Sequence, residues 1–205
     1  MNELTSPAPA QDEVTPRSDT RARIQEVALE LFAEQGYDKT SLREIAERLG
    51  VTKAALYYHF KSKEDIVAGL ASDYFDRLEE LAEWGRGQPK TPGFRAEFLR
   101  RYFDIADSGT GVFRMLEQNQ ASVNSLAHDK SRSAQFRDRM RRLVEALTGP
   151  GAPLREEFRA TMAVASVSFG RMLYADRASD PAELRDVVLR TAYELADART
   201  SGSTR

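Results

Sequence analysis

The sequence predicts an all-helical protein, and three observations carry that expectation. Apolar residues recur at offsets of three, four, seven and eight in one segment after another. No stretch of useful length alternates with the period of two that a half-buried strand requires. The breaks between segments are marked by glycine, proline and capping residues, most clearly at 36, 50, 85–93 and 149–153.

Taken in order, residues 1–17 are polar and proline-rich with no apolar run, so they read as a disordered arm and not as a signal peptide. A helix over about 19–35 buries Ile24, Val27, Ala28, Leu31 and Phe32 and stops at Gly36. Ser41 opens the next helix: its hydroxyl can cap the Glu44 amide while that carboxylate reaches back, a capping box. Leu42, Ile45, Ala46 and Leu49 form the inward face of this helix. Gly50 stops it where a left-handed residue is needed, Thr52 caps a third helix ending near His59, and Ser62 with Asp65 opens a fourth. Ala46 lets two helices cross closely, Gly50 makes the turn and Leu56 fills the junction. Together these spacings describe a helix-turn-helix, which residues 19–35 complete as a three-helix bundle.

The fourth helix, about 63–84, carries Ile66, Val67, Leu70, Tyr74, Leu78 and Leu81 and links this module to the rest. GRGQPKTPG at 85–93 is the clearest loop in the chain. Five more helices are expected over about 94–107, 111–127, 131–147, 153–175 and 181–198, the last with Asp180 as cap, Pro181 in the first turn and Glu183 completing the box. The helix at 153–175 has small residues, Ala160, Ala163, Ala165, Ser166, Ser168 and Gly170, that allow close helix approach. Its successor has a Leu184, Val187, Val188, Thr191 and Leu195 stripe. The domain division is therefore an arm at 1–17, a helix-turn-helix domain at 18–62, a larger helical domain at 63–198 and a loose tail at 199–205.

With 205 residues there is room for one small module and a second domain with its own core. The net charge of −2 argues against a packaging protein that grips polyanions indiscriminately. Residues 1–63 hold nine Lys or Arg against ten Asp or Glu, yet from Arg48 to Lys63 four bases run without an acid, so any nucleic-acid contact is focused there. There is no cysteine, which excludes disulfides and thiol redox sensing and suits a reducing cytoplasm. No segment has the length and apolarity of a membrane span. Enzyme chemistry is disfavoured: no H-E-x-x-H, glycine-rich phosphate loop or serine nucleophile elbow occurs, and the two histidines, His59 and His128, cannot make a metal site by themselves. Neither metal nor cofactor is expected.

On the third helix, Val51, Ala55, Leu56 and Phe60 face inward, which leaves Lys53, Ala54, Tyr57, Tyr58 and Lys61 outward. Lysine and tyrosine hydroxyls grip phosphates, while an alanine methyl or a tyrosine ring can pack on thymine. Residues 21–70 resemble the DNA-binding domain of the TetR family of bacterial transcriptional regulators. The resemblance rests on Thr40, Ser41, Leu42, Arg43, Glu44, Ile45 and Ala46, then Gly50 and Val51, then Leu56 to Phe60, and finally Ser62, Lys63 and Glu64. It implies that Thr40, Ser41, Tyr57, His59 and Lys63 hold phosphates, that Arg43, Lys53, Ala54 and Tyr58 face bases, and that Thr52 belongs to the same double-stranded operator DNA contact. It covers about a quarter of the chain. It further implies a homodimer through about 153–198, a four-helix bundle, reading a near-palindromic operator, with repression the commoner mode.

The second domain holds the sensing question. Asn119 and Gln120 fall on a stripe of apolar residues seven positions away on either side, and a buried amide needs a partner. With Phe98, Tyr102, Phe113, Leu116, Met140, Met162, Ser166 and Phe169 they make a candidate lining for a small, mostly apolar or aromatic ligand. By the resemblance such a ligand would swing the fourth helix and release the operator. The alternative is a regulator without a small ligand, controlled by a partner protein or by its own abundance.

Overall fold

The computed structural model describes residues 17–118, 130–175 and 177–197. Among them there are eight helices and no strand: α1 (Arg17–Gln35), α2 (Leu42–Leu49), α3 (Lys53–His59), α4 (Lys63–Arg86), α5 (Pro92–Gln118), α6 (Lys130–Thr148), α7 (Leu154–Tyr174) and α8 (Pro181–Asp197). The expectations for residues 1–16, 119–129 and 198–205, which include Asn119, Gln120 and His128, lie outside the described residues. None of the helices is long and apolar enough to cross a membrane.

Two separate apolar clusters organise the molecule. The first joins Ile24, Ala28, Leu31 and Phe32 of α1 to Ile45 and Ala46 of α2, Leu56 of α3, and Phe60, Ile66 and Val67 around the start of α4. The second joins Leu78, Leu81 and Ala82 of α4 to α5, α6, α7 and α8 through Phe98, Tyr102, Leu143, Leu147, Ala163, Val167 and Val188. α4 belongs to both clusters. At 24 residues it is roughly 36 Å long and mechanically connects them.

Two boundaries differ from the sequence reading. The expected loop at 85–93 is shorter, because α4 continues through Gly85 to Arg86. Gly85 is buried, and a Cβ there would sit 2.8 Å from the Phe98 ring and 3.2 Å from Ala146 Cβ, so this glycine lets α5 and α6 press against α4. At the other end of the loop Thr91 is the cap: its Oγ1 accepts from the Phe94 amide at 3.1 Å and its carbonyl from Arg95 at 3.0 Å, with Pro92 in the first turn.

The second difference is that 94–107 and the start of the expected 111–127 helix form one helix, α5. The Ser108 hydroxyl donates back to the Ile105 carbonyl at 2.8 Å and accepts from Arg77 at 2.7 Å, and Gly109 is buried. Packing against α4 and α7 overrides the weak helix propensity of this serine-glycine pair.

The small residues of α7 are also used differently from expectation. Ala160 and Ala163 are buried, and a Cβ on Gly170 would lie 2.8 Å from a Val188 methyl. They serve packing inside the chain, chiefly against α8. The face of α7 that no described residue covers carries large apolar residues instead, Leu154, Phe158, Phe169 and Leu173, each more than half exposed.

Candidate nucleic-acid interface

The helix-turn-helix is built from local bonds. Ser41 Oγ accepts from the Glu44 amide at 3.2 Å, and Glu44 Oε2 accepts from the Ser41 amide at 2.8 Å, the reciprocal capping box. Gly50 closes α2 at φ 73°, its N–H turned to the Ala46 and Glu47 carbonyls. Thr52 Oγ1 then accepts from the Ala55 amide at 3.1 Å and starts α3. Leu56 is fully buried beneath the turn. Ser62 Oγ accepts from the Asp65 amide, while the returning carboxylate bond goes to the Lys61 amide at 3.1 Å rather than to Ser62.

With both ends of α3 held, Lys53, Ala54, Tyr57 and Tyr58 stand outward on one short helix, Tyr58 at 69% exposure. Thr52 is exposed at its start, and His59 is half-buried at its end with its ring edge-on to Tyr58. On α2, Arg43 is exposed and its Nε lies 2.6 Å from Glu47 Oε1. The hydrogen bond to Glu47, then its charge, raises the Arg43 pKa.

Three of the phosphate assignments implied by resemblance meet a different geometry. Thr40 is 2% exposed, its hydroxyl donating to the Gly36 carbonyl at 2.8 Å and accepting from Gln35, so it closes the end of α1 and presents nothing to solvent. The Ser41 hydroxyl donates to Glu44 Oε2 at 2.7 Å, and those bonds hold Glu44 below the usual carboxylate range. Lys63 donates from Nζ to the Tyr37 carbonyl at 2.6 Å and lies 4.3 Å over the Tyr37 ring. Of the four uninterrupted bases, Arg48 is likewise paired, with Glu34 at 2.9 Å. Lys53 and Lys61 are the exposed lysines of the patch.

Tyr37 was missed in the sequence, where it is only an aromatic after a helix-ending glycine. It is 3% exposed, packs on Phe32, and donates from its hydroxyl to Glu64 Oε1 at 2.7 Å. Burial, then the Glu64 bond, raises its pKa, and the same bond lowers that of Glu64. Gln25 was missed as well: it is 5% exposed and donates to Asp73 of α4 at 2.6 Å. Both tie the three-helix bundle to α4.

The candidate ligand lining is not brought together. Phe98 and Tyr102 are core residues at 0% and 1% exposure, Phe98 stacked on Trp84 and edge-on to Phe94. Met140 is half-buried against the same core. Met162 and Phe169, by contrast, project outward from α7 at 36% and 56% exposure, and Ser166 donates to the Ala163 carbonyl beside them. Positions 162 and 169 lie outside the buried stripe of Ala163 and Val167, and Ser166 stands at its edge. The side chains of Phe113 and Leu116 are not among those described. A polar pair that does lie inside is Tyr102 and Ser168, whose hydroxyl oxygens are 2.6 Å apart. An open groove of about 690 Å³ runs along α7 and α8, lined by Ser166, Phe169, Leu173, Tyr174, Val187 and Thr191 among others.

Comparison with known proteins places these features. Residues 24–70 match the family model for bacterial regulatory proteins, tetR family. The transcriptional regulator AcrR of Shigella flexneri is 43% identical over 88 residues, covering 40% of this chain and 37% of that one. The match therefore spans well under half of AcrR. The transcriptional repressor KstR2 of Rhodococcus jostii (strain RHA1) is 26% identical over 145 residues, 69% of this chain and 71% of that one. Among solved structures, a TerR/AcrR-family transcriptional regulator from Aquifex aeolicus VF5 superposes with a TM-score of 0.61 at 25% identity, covering 83% of this chain and 96% of the other.

Proposed function

Because the chain belongs to the tetR family of bacterial regulatory proteins, we propose that it is a transcriptional repressor that binds a near-palindromic operator as a homodimer and is released by a mostly apolar small molecule. The observation that carries the DNA reading is the outward face of α3, where Lys53, Ala54, Tyr57 and Tyr58 stand on a helix fixed by a cap, a turn and a buried leucine. Such a helix presents an ammonium that can reach a base edge and thymine-packing groups together. Reading genomic DNA places the protein in the cytoplasm. The two apolar clusters support a division into a DNA-binding unit up to residue 62 and a second unit from 63. Repression follows the repressor KstR2.

Dimerisation is supported by the uncovered face of α7, where Leu154, Phe158, Met162, Phe169 and Leu173 recur at helical spacing. Packing it with α8 against a second copy makes a four-helix bundle and sets two α3 helices about one DNA turn apart, roughly 34 Å. The ligand acts only through its preference for the non-binding arrangement of α4, and tenfold release needs about 1.4 kcal/mol of differential affinity.

Fluorescence anisotropy on DNA from upstream of the protein's own gene, against a scrambled duplex and across a salt series, tests this. Tight, sequence-dependent binding by two protomers is expected. Equal, weak binding to both duplexes sends the search to genome-wide selection of bound fragments, and no preference there removes the DNA reading. Thermal unfolding with candidate ligands tests the sensing half, since a ligand at 100 times its Kd adds about 2.7 kcal/mol. Intact DNA binding with no ligand found across a broad apolar set supports control by a partner protein or by abundance.

A further inference from the structure

Along α7 the helical period separates two apolar faces. Ala160, Ala163, Val164 and Val167 fall on one side and are buried against the rest of the domain. Leu154, Phe158, Met162, Ala165, Phe169 and Met172 fall on the other, within roughly 40° of a single line at about 100° per residue. The five large side chains of that line are exposed, Leu154 at 79%, and Ala165 is half-buried. No other residue of α7 points into this sector, so neither a charge nor a hydroxyl interrupts it. A surface helix keeps its outer face polar, and one that is apolar on both sides is covered on both.

α8 does not share this character. Beyond Val187 and Thr191 at the edge of the groove, its outer positions are Glu183, Asp186, Arg190 and Glu194, all exposed, with Arg190 paired to Asp186 at 2.6 Å. The apolar surface is therefore centred on α7, with α8 at its margin.

The order of sizes along the line is the same read from either end. Phe158 and Met162 precede Ala165, and Phe169 and Met172 follow it, with Phe158 and Met172 each seven residues away. Such a line is complementary to itself run backwards, which is what a two-fold contact requires: residue i of one copy meets j of the other, and j meets i. Ala165, the one short side chain of the line, is where two helices can come closest. The two ends also fit one another. Leu154 and Phe158 project from the N-terminal half, whereas the C-terminal half borders the groove of about 690 Å³ through Phe169, Leu173 and Tyr174.

We propose that α7 packs antiparallel on α7 of a second copy with the two-fold axis at Ala165, so that Phe158 of each copy faces Met172 of the other and enters the groove beside it. This rests on the homodimer above and names its register. The self-complementary line selects a second copy over a different protein as the occupant.

The chain has no cysteine, so the thiols in any variant are those introduced. Full-length Ala165→Cys, Phe158→Cys, Met172→Cys and the variant carrying both Phe158→Cys and Met172→Cys are checked by sedimentation and circular dichroism under reducing conditions, then mildly oxidised and run on denaturing gels. A disulfide needs Cα atoms within about 7 Å of each other. Ala165→Cys should link two chains, and so should the double variant. Phe158→Cys and Met172→Cys alone should remain single chains, because in the antiparallel pair each thiol lies roughly 21 Å from its mate at 1.5 Å per residue. The same separation of roughly 21 Å along one helix keeps the double variant from closing on itself. Met162→Cys with Phe169→Cys should link in the same way and reports the register where the outer pair weakens the reduced dimer. Efficient linkage through either end thiol alone overturns the proposal, since that is the pattern of parallel helices. A dimer whose Ala165→Cys variant does not link overturns it too, and leaves the homodimer standing with its axis elsewhere. A wild-type chain that sediments as a monomer removes the homodimer itself, and the register with it.

Discussion

Tyr37 and Glu64 are joined by a 2.7 Å hydrogen bond that ties the corner between α1 and α2 to the first turn of α4. Lys63 closes the same corner from its other side, donating to the Tyr37 carbonyl at 2.6 Å. Any swing of α4 must carry this corner with it or break these bonds. Tyr37→Phe removes a hydrogen bond to a charged acceptor and should lower stability by about 1–2 kcal/mol in urea unfolding. Operator affinity should fall with it, while the salt slope stays the same. An unchanged midpoint with unchanged affinity would show that the corner is held by packing alone.

The same bond has a pH signature. Glu64 is lowered below the ordinary carboxylate range, first by Tyr37, so its contribution is present above the unfolded value near 4.5 and is lost as pH falls through the depressed folded value. The gap in melting temperature between wild type and Tyr37→Phe should therefore be full at pH 6 and shrink steadily below pH 4.5. A gap that persists at the acid end would mean that the Glu64 charge is not part of it.

Lys53 and Lys63 should behave differently. Lys53 is exposed, and its replacement by alanine should weaken specific binding by about 1–3 kcal/mol if it reads a base, leaving the melting temperature alone. Lys63 is committed to Tyr37, so Lys63→Ala should lower the melting temperature as well as the affinity. Paired anisotropy and thermal scans of the two variants distinguish these outcomes.

Gly170 tests how α7 and α8 are spaced. An alanine there meets a Val188 methyl at 2.8 Å and should cost about 1–3 kcal/mol by overpacking. Val188→Ala in the same chain opens that space, so the double variant should recover part of the loss in a double-mutant cycle. Additive losses would mean that the helices simply move apart.

Phe158 and Phe169 are 61% and 56% exposed on the uncovered face of α7. A glutamate at either site costs the single chain little, since water already reaches it, but it places a charge inside a paired face. Sedimentation should report a dimer for the wild type and a monomer for Phe158→Glu with Phe169→Glu, the circular dichroism unchanged. Operator affinity should fall by at least tenfold. A dimer that survives both changes puts the interface elsewhere.

The helix-turn-helix was legible because its determinants are bonds within four residues of one another. Ser41 with Glu44, Gly50 and Thr52 with Ala55 act locally, and the residue types state the geometry directly. The outward set on α3 followed from the helical period once Leu56 was placed inside. Phe98 and Tyr102 illustrate the limit of the same reasoning: an aromatic stripe reads alike whether it surrounds a ligand or fills a core, and here both are core.

The sequence by itself determined the helical class, the reading module and its caps, since propensity, periodicity and capping act between near neighbours. Tertiary structure decided the rest: that Gly85 lies within a helix against Phe98, that α5 runs unbroken past Ser108, that Lys63 is held by Tyr37, and that α7 turns its small residues inward and its large ones out. Each of these depends on residues 13 to 66 positions apart in the chain, Phe98 from Gly85 at one extreme and Ser168 from Tyr102 at the other. Periodicity says that a stripe of side chains will be covered. Which surface covers it is a property of the packed chain.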